Sequence, residues 1–283
     1  MTRPALRLVL LGGGSIARTV ATAVGEGHLP GVEVIAVVGR SIPPSDRTLA
    51  VAKAANARVS ALDTALDLGA DWVLEAAGAP ALKEHLETLV VHPSGLIVMS
   101  IGALLDTEAW SLVEKKRSTG GRVVLPSGSI GGLDAVAALN ALGDLKDVRI
   151  TTAKAPAGLA GAPYLTENRV SLSQTERQLV FEGTAREAVK AFPANVNVAA
   201  ALSLAGIGAD RTMVRVVSDP SLVRTQHTIE AEGSSGRLHL DIESSPNPLN
   251  PKSSYLSALS AIGVLRELVD EARARPLARP PSR

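Results

Sequence analysis

The sequence predicts an α/β chain in two parts, a parallel sheet with helices on both faces followed by an α+β unit with a mostly antiparallel sheet. Three observations carry this. Short apolar runs alternate with helix-length stretches through residues 1–125, and a glycine-rich loop follows the first run directly. Later strand-like runs crowd together, with Asp-Pro and Gly-Ser-Ser-Gly breaks between them.

Taken in order, Leu6 to Leu11 reads as a buried strand and Ile16 to Glu26 as the helix after it. Val32 to Val38 is a second strand, Arg47 to Asn56 a helix, Arg58 to Ser60 a short strand and Asp63 to Leu68 a short helix. Asp71 to Ala76 and Leu96 to Ser100 are strands, each followed by a helix, Ala79 to Val90 and Glu108 to Ser118. Arg122 to Leu125 is the last strand of the first part. The pattern changes at Pro126-Ser127-Gly128: a helix over Gly132 to Leu142 precedes strands at Val148–Ala153, Met213–Ser218, Gln226–Glu232 and Arg237–Ile242. Leu256, Leu259, Ile262, Leu265 and Leu268 then recur at helical spacing within Ser253 to Ala274. The proline-rich tail from Arg275 cannot continue that helix and is expected to fray. The expected domains are 1–125, 126–245 and a C-terminal helix, 246–283, packing back on the first.

Composition excludes several functions. The 29 basic and 28 acidic residues leave a formal charge of +1, no footprint for nucleic acid or an anionic membrane. Aromatics at 2% supply no stacking platform for single strands. With no cysteine, there is no disulfide, thiolate metal site or cysteine nucleophile. The four-residue apolar run Leu8 to Leu11 is too short for a signal peptide, and no stretch approaches the roughly 20 apolar residues of a membrane span. The expectation is a soluble, cytoplasmic protein.

The loop Gly12-Gly13-Gly14-Ser15-Ile16-Ala17 closes the first strand and opens the first helix, the context in which Gly-x-Gly-x-x-small binds a dinucleotide. Gly12 allows the turn and Gly14 the close approach of a pyrophosphate. Ala17 lets helix and strand pack closely, and the amides of Ser15 and Ile16 face the anion. The first part therefore reads as a Rossmann-type domain. An NAD-specific site usually carries an acidic residue at the end of the second strand, whereas this chain has Gly39-Arg40-Ser41. An arginine beside a hydroxyl suits a 2′-phosphate, so NADP is favoured over NAD; the alternative is an Arg40 stacked on adenine or facing solvent. Ala77 and Gly78 end another parallel strand, where a dinucleotide lies, or Gly78 only caps the turn.

The five histidines are His28, His85, His92, His227 and His239. None pairs at metal-ligand spacing, so no metal is expected. Only His227, opening a strand of the second part, has a natural chance of facing a cleft between domains, although a histidine in a strand is more often structural than catalytic.

Three segments then carry a likeness: Leu125-Pro126-Ser127-Gly128-Ser129-Ile130-Gly131-Gly132-Leu133-Asp134, Phe192-Pro193-Ala194-Asn195-Val196-Asn197-Val198-Ala199-Ala200, and Asn250-Pro251-Lys252-Ser253-Ser254. With the glycine loop and the Asp219-Pro220…His227 stretch, the chain resembles the L-aspartate dehydrogenase family over nearly its whole length. The resemblance implies NAD(P)-linked oxidative deamination of L-aspartate, through iminoaspartate, to oxaloacetate and ammonia. That direction would feed iminoaspartate to pyridine nucleotide synthesis, and the reverse would make aspartate. It assigns catalysis to His227, as a group of pKa near 7 that activates the water attacking the imine. The family segment usually reads Asn-x-His-Glu-Ile; here it is Thr225-Gln226-His227-Thr228-Ile229. Further cofactor contacts are implied at Gly131 and Asn197. The family often has an acidic residue where this chain has Arg40.

A dicarboxylate needs cationic or amide clamps. Lys154, Lys252, Ser253 and Ser254 are candidates, against the plainer reading of two solvated lysines and helix-capping serines. Two other functions stay open, an NADP-dependent oxidoreductase of the same layout on another amino-acid or imine substrate, and a non-catalytic NADP(H) sensor. A homodimer through the second sheet is expected.

Overall fold

The computed structural model describes residues 4–41, 43–193 and 196–274. The tail from Arg275, with its expected fraying, lies outside the described residues, as do Ala194 and Asn195. The first unit runs β1 (Leu6–Leu11), α1 (Ser15–Gly25), β2 (Val32–Val38), α2 (Asp46–Ala54), β3 (Arg58–Val59) and α3 (Leu62–Asp67). It continues β4 (Trp72–Glu75), α4 (Ala79–Val91), β5 (Gly95–Val98), a 3₁₀ turn (Ile101–Leu105), α5 (Thr107–Ser118) and β6 (Val123–Val124). All pairings are parallel, in the order β3-β2-β1-β4-β5-β6. Helices cover both faces, which is why β1 is apolar almost throughout: Leu8 and Leu10 pack on one side, Val9 and Leu11 on the other. The order reverses between β1 and β4, so a crevice opens at their carboxyl ends.

The second unit contains α6 (Leu133–Leu139), β7 (Leu145–Lys154), α7 (Pro156–Leu159), α8 (Pro163–Glu167), β8 (Gln178–Thr184), α9 (Ala185–Ala191) and α10 (Asn197–Ala205). Three strands follow, β9 (Met213–Ser218), β10 (Thr225–Gly233) and β11 (Gly236–Ser244). The sheet order is β11-β10-β7-β9-β8, antiparallel except for β7 with β9. The sequence reading missed β8, whose apolar run is only Leu179-Val180-Phe181. Alternation in β7 and β10 puts Val148, Ile150, Ile229 and Ala231 on one buried face. The same parity carries Thr152, Lys154 and His227 onto that face, so it turns polar at the end nearest the first unit.

A short hairpin, β12 (Pro246–Asn247) with β13 (Asn250–Ser254), leads into α11 (Tyr255–Ala274). Ser254 accepts the Leu256 N–H at 3.1 Å and caps α11. Ala261, Leu265 and Leu268 of α11 join Val20 and Ala21 of α1 in the core of the first unit. In the other direction, Ile101 and Leu105 of the 3₁₀ turn are buried in the core of the second.

Candidate active site

A cleft of ≈340 Å³ opens between the carboxyl edge of the first sheet and the polar end of the second sheet's buried face. Gly14, Ser15, Ile16, Ala77, Gly78, Lys154, Asn197, His227, Ser253 and Ser254 line it.

One wall is backbone. Gly12 has φ +126°, and a Cβ there would stand 2.6 Å from the Ala76 carbonyl oxygen, so only glycine brings the loop this close to β4. Gly14 is the N-cap of α1 with no side-chain cap, leaving first-turn amides and the positive end of the helix dipole to an external anion. A glycine cradle ending in an uncapped helix fits the pyrophosphate of a dinucleotide. Beneath it lies Glu75, fully buried at the end of β4. Its carboxylate accepts the Ala77 and Gly78 N–H groups at 2.9 and 3.1 Å, and the Ser100 N–H and hydroxyl at 2.9 and 2.8 Å. Burial pushes this carboxyl upward while the donors from Ser100, Ala77 and Gly78 pull it back. Glu75 thus ties together the loops after β4 and β5. The sequence reading missed it, although an acidic residue ending the run Trp72-Val73-Leu74 was a visible signal.

The other wall is side chain. His227 is 2% exposed and sits opposite Thr152 in the β10–β7 register. Its Nδ1 is 3.0 Å from Thr152 Oγ1 and its Nε2 is 3.1 Å from Ser129 Oγ. Burial, with the Lys154 ammonium nearby, pushes the imidazole down to about 3. The shift takes the ring below the value near 7 that the resemblance implies and favours its neutral form. Lys154 is likewise buried, and desolvation lowers its ammonium to about 8, leaving it mostly charged at neutral pH. Partners for His227 at Thr152 and Ser129 come from strand register and a loop, which spacing along the chain does not reveal.

Asn197 begins α10, and its Oδ1 accepts the Gly102 N–H at 3.0 Å, bracing the 3₁₀ turn with its amide at the cleft. Ser15 and Ser253 bring their hydroxyls to 3.5 Å across the cleft edge. Other expected contacts stand elsewhere. Lys252 is exposed, and its Nζ donates to the Ala160 carbonyl at 3.3 Å, so it caps α7 rather than lining the cleft. Gly131 also lies off the cleft lining, two residues beyond Ser129. Arg40 and Ser41 are exposed at the end of β2, where the Ser41 hydroxyl donates to the Pro43 carbonyl at 3.0 Å. Gly12 and Ala17 are buried under the loop they shape. A larger cavity, ≈750 Å³, lies at the opposite edge of the first sheet among Leu6, Trp72 and Arg122 and holds none of these groups. Among the described residues no histidine, aspartate or glutamate cluster could hold a metal, and no helix is long and apolar enough to cross a membrane.

Comparison with known proteins decides the family. The chain is 38% identical to the L-aspartate dehydrogenase of Methanosarcina mazei, covering 94% of this chain and 97% of that one. It is 40% identical to the enzyme of that name from Bradyrhizobium diazoefficiens, over 93% and 91%. The chain belongs to the L-aspartate dehydrogenase family. Residues 134–268 match the family model "Aspartate dehydrogenase, C-terminal", and residues 12–126 match "Homoserine dehydrogenase, NAD binding domain". The crystal structure of the Thermotoga maritima aspartate dehydrogenase superposes with a TM-score of 0.71 at 26% identity, covering 93% of this chain and 97% of that one. A myo-inositol dehydrogenase of Lactobacillus casei, at 14% identity and a TM-score of 0.58 over 98% and 89%, shares the fold. The family's dinucleotide-binding domain and the glycine cradle make this a pyridine-nucleotide enzyme.

Proposed function

We propose that this chain is an NADP-linked L-aspartate dehydrogenase, taking L-aspartate through iminoaspartate to oxaloacetate and ammonia, and catalysing the reverse amination. The reading rests on one juxtaposition: buried His227 and Lys154 face the uncapped glycine loop across a single narrow cleft. The activity named for its relatives supports it.

The loop from Gly12 to Ala17 would hold the pyrophosphate, Ala77 and Gly78 the adjoining ribose, and Asn197 the nicotinamide end. When bound, the nicotinamide supplies the oxidising power by accepting hydride from the substrate Cα. Lys154 offers a cation to a substrate carboxylate, with Ser253 at the cleft edge as a hydroxyl donor. His227 holds the proton taken from the attacking water and returns it to the departing nitrogen. Its low basicity suits a substrate-gated role. A bound dicarboxylate brings negative charge beside the ring and offsets Lys154, and both effects raise its affinity for a proton. Arg40 supplies the cation for a 2′-phosphate where no carboxylate opposes it. A homodimer would form through the second sheet, whose edge strand β11 pairs only with β10. A monomer by light scattering would overturn that part.

The test follows reduced-nicotinamide absorbance with oxaloacetate and ammonia. Ammonia-dependent oxidation, faster with NADPH than NADH and lost in His227→Ala, is expected. Tight NADPH binding without turnover would overturn the reading.

A further inference from the structure

We propose that Ser129 is a catalytic proton relay, its hydroxyl standing between the His227 imidazole and the water that attacks the imine carbon. The proposal rests on the aspartate dehydrogenase reading above. It starts from the two nitrogens of His227, each already within hydrogen-bond distance of a hydroxyl. Nδ1 faces Thr152, which is 1% exposed in the interior of β7 and does not line the cleft. Proton traffic with the cleft therefore has to use Nε2, and Ser129 Oγ occupies that direction at 3.1 Å. Ser129 does line the cleft. Gly128 just before it has φ +69°, a left-handed turn that aims the following residue back toward β10.

A hydroxyl accepts one proton while giving up another, so it passes charge without becoming charged. With Nδ1–H donated to Thr152, the Nε2 lone pair accepts the hydrogen bond of Ser129. As the water oxygen bonds to the iminium carbon, the C=N π pair moves to nitrogen, the water O–H bond breaks and that proton passes to Ser129 Oγ. The serine's own proton moves to Nε2, giving an imidazolium and an unchanged serine. The reverse transfer delivers that proton to the amine nitrogen; as the C–N bond breaks and ammonia leaves, the carbinol oxygen forms the C=O bond and its proton returns through Ser129 to Nε2. Substrate supplies every atom apart from water, and the step needs no oxidant.

The test uses the whole enzyme with Ser129→Ala and Ser129→Thr beside His227→Ala. Ser129→Ala should lower kcat about 10²-fold, the scale of one lost acid–base partner. NADPH affinity by fluorescence and KM should stay near wild type. Ser129→Thr, which keeps the hydroxyl, should recover most of the rate. Where hydration limits turnover, rates in mixtures of light and heavy water should bow for the wild type and fall on a straight line for Ser129→Ala. Wild-type kcat in Ser129→Ala, or equal losses in the alanine and threonine variants, overturns the relay. If that occurs while His227→Ala is inactive, only the relay fails; a fully active His227→Ala would instead remove the reading beneath it.

Discussion

The two walls of the cleft are built from different materials. The wall on the first sheet is main chain, glycines without side chains, free helix amides and loops pinned by Glu75. The wall on the second sheet is side chain, a buried imidazole and a buried ammonium at the polar end of an otherwise apolar face. Backbone recognises what every dinucleotide shares, its phosphates, and at Gly12 it tolerates no added atom. Buried titratable groups do chemistry and carry the cost of their own desolvation. Binding and turnover should therefore separate cleanly between the walls.

The sharpest test of that separation is His227→Ala, expected to lower kcat by about 10²–10⁴-fold while leaving NADPH affinity unchanged, measured by steady-state kinetics and fluorescence titration. Loss of cofactor binding in this variant would break the comparison. Gly12→Ala should do the opposite. Its Cβ would meet the Ala76 carbonyl, costing about 1–3 kcal/mol of stability and weakening NADPH binding before it affects any catalytic step.

Lys154→Met should show the conflict between chemistry and stability within one residue. A lysine lowered from 10.5 to about 8 on folding destabilises the native state while both forms are charged, on the order of 3 kcal/mol at neutral pH. That penalty fades as pH rises from about 8 toward 10.5, because the folded form releases its proton first. The methionine variant should thus resist denaturant better than wild type at neutral pH, lose that advantage at alkaline pH, and bind aspartate poorly. In the wild type, KM for aspartate should climb above about pH 8 as the cation is lost. Arg40→Ala should reduce the preference for NADPH over NADH by about tenfold, the value of one charge-assisted phosphate contact. The smallest effect belongs to Lys252→Ala, within about 0.5 kcal/mol in stability and near wild-type kinetics, since its exposed amine only caps α7.

The walls also differ in how far the sequence announces them. Gly12, Gly14 and Ala17 are legible because a backbone cradle demands small residues at fixed spacing between a strand and a helix. The alternation of β1 through β6 is legible for the same local reason. Thr152 and His227 meet because β10 pairs with β7 across 75 positions of chain, and no local pattern encodes that register. Lys252 stands beside two serines, the local pattern of an anion clamp, and only hairpin geometry shows its amine turned to Ala160. Its place at the start of a second-part strand singled out His227 among the histidines, and the resemblance to a known family gave it a role.

The 3₁₀ turn adds a constraint on how ligands arrive. Ile101 and Leu105 belong covalently to the first unit, yet each is nearly solvent-free inside the hydrophobic interior of the second. Swinging the units apart would drag both side chains into water, roughly 1.5–3 kcal/mol apiece. Gly102, between them, is held to Asn197 as well. The width of the cleft is thus a property of the folded protein. Ligands would enter along the rim of a slot that the packing between the units already holds.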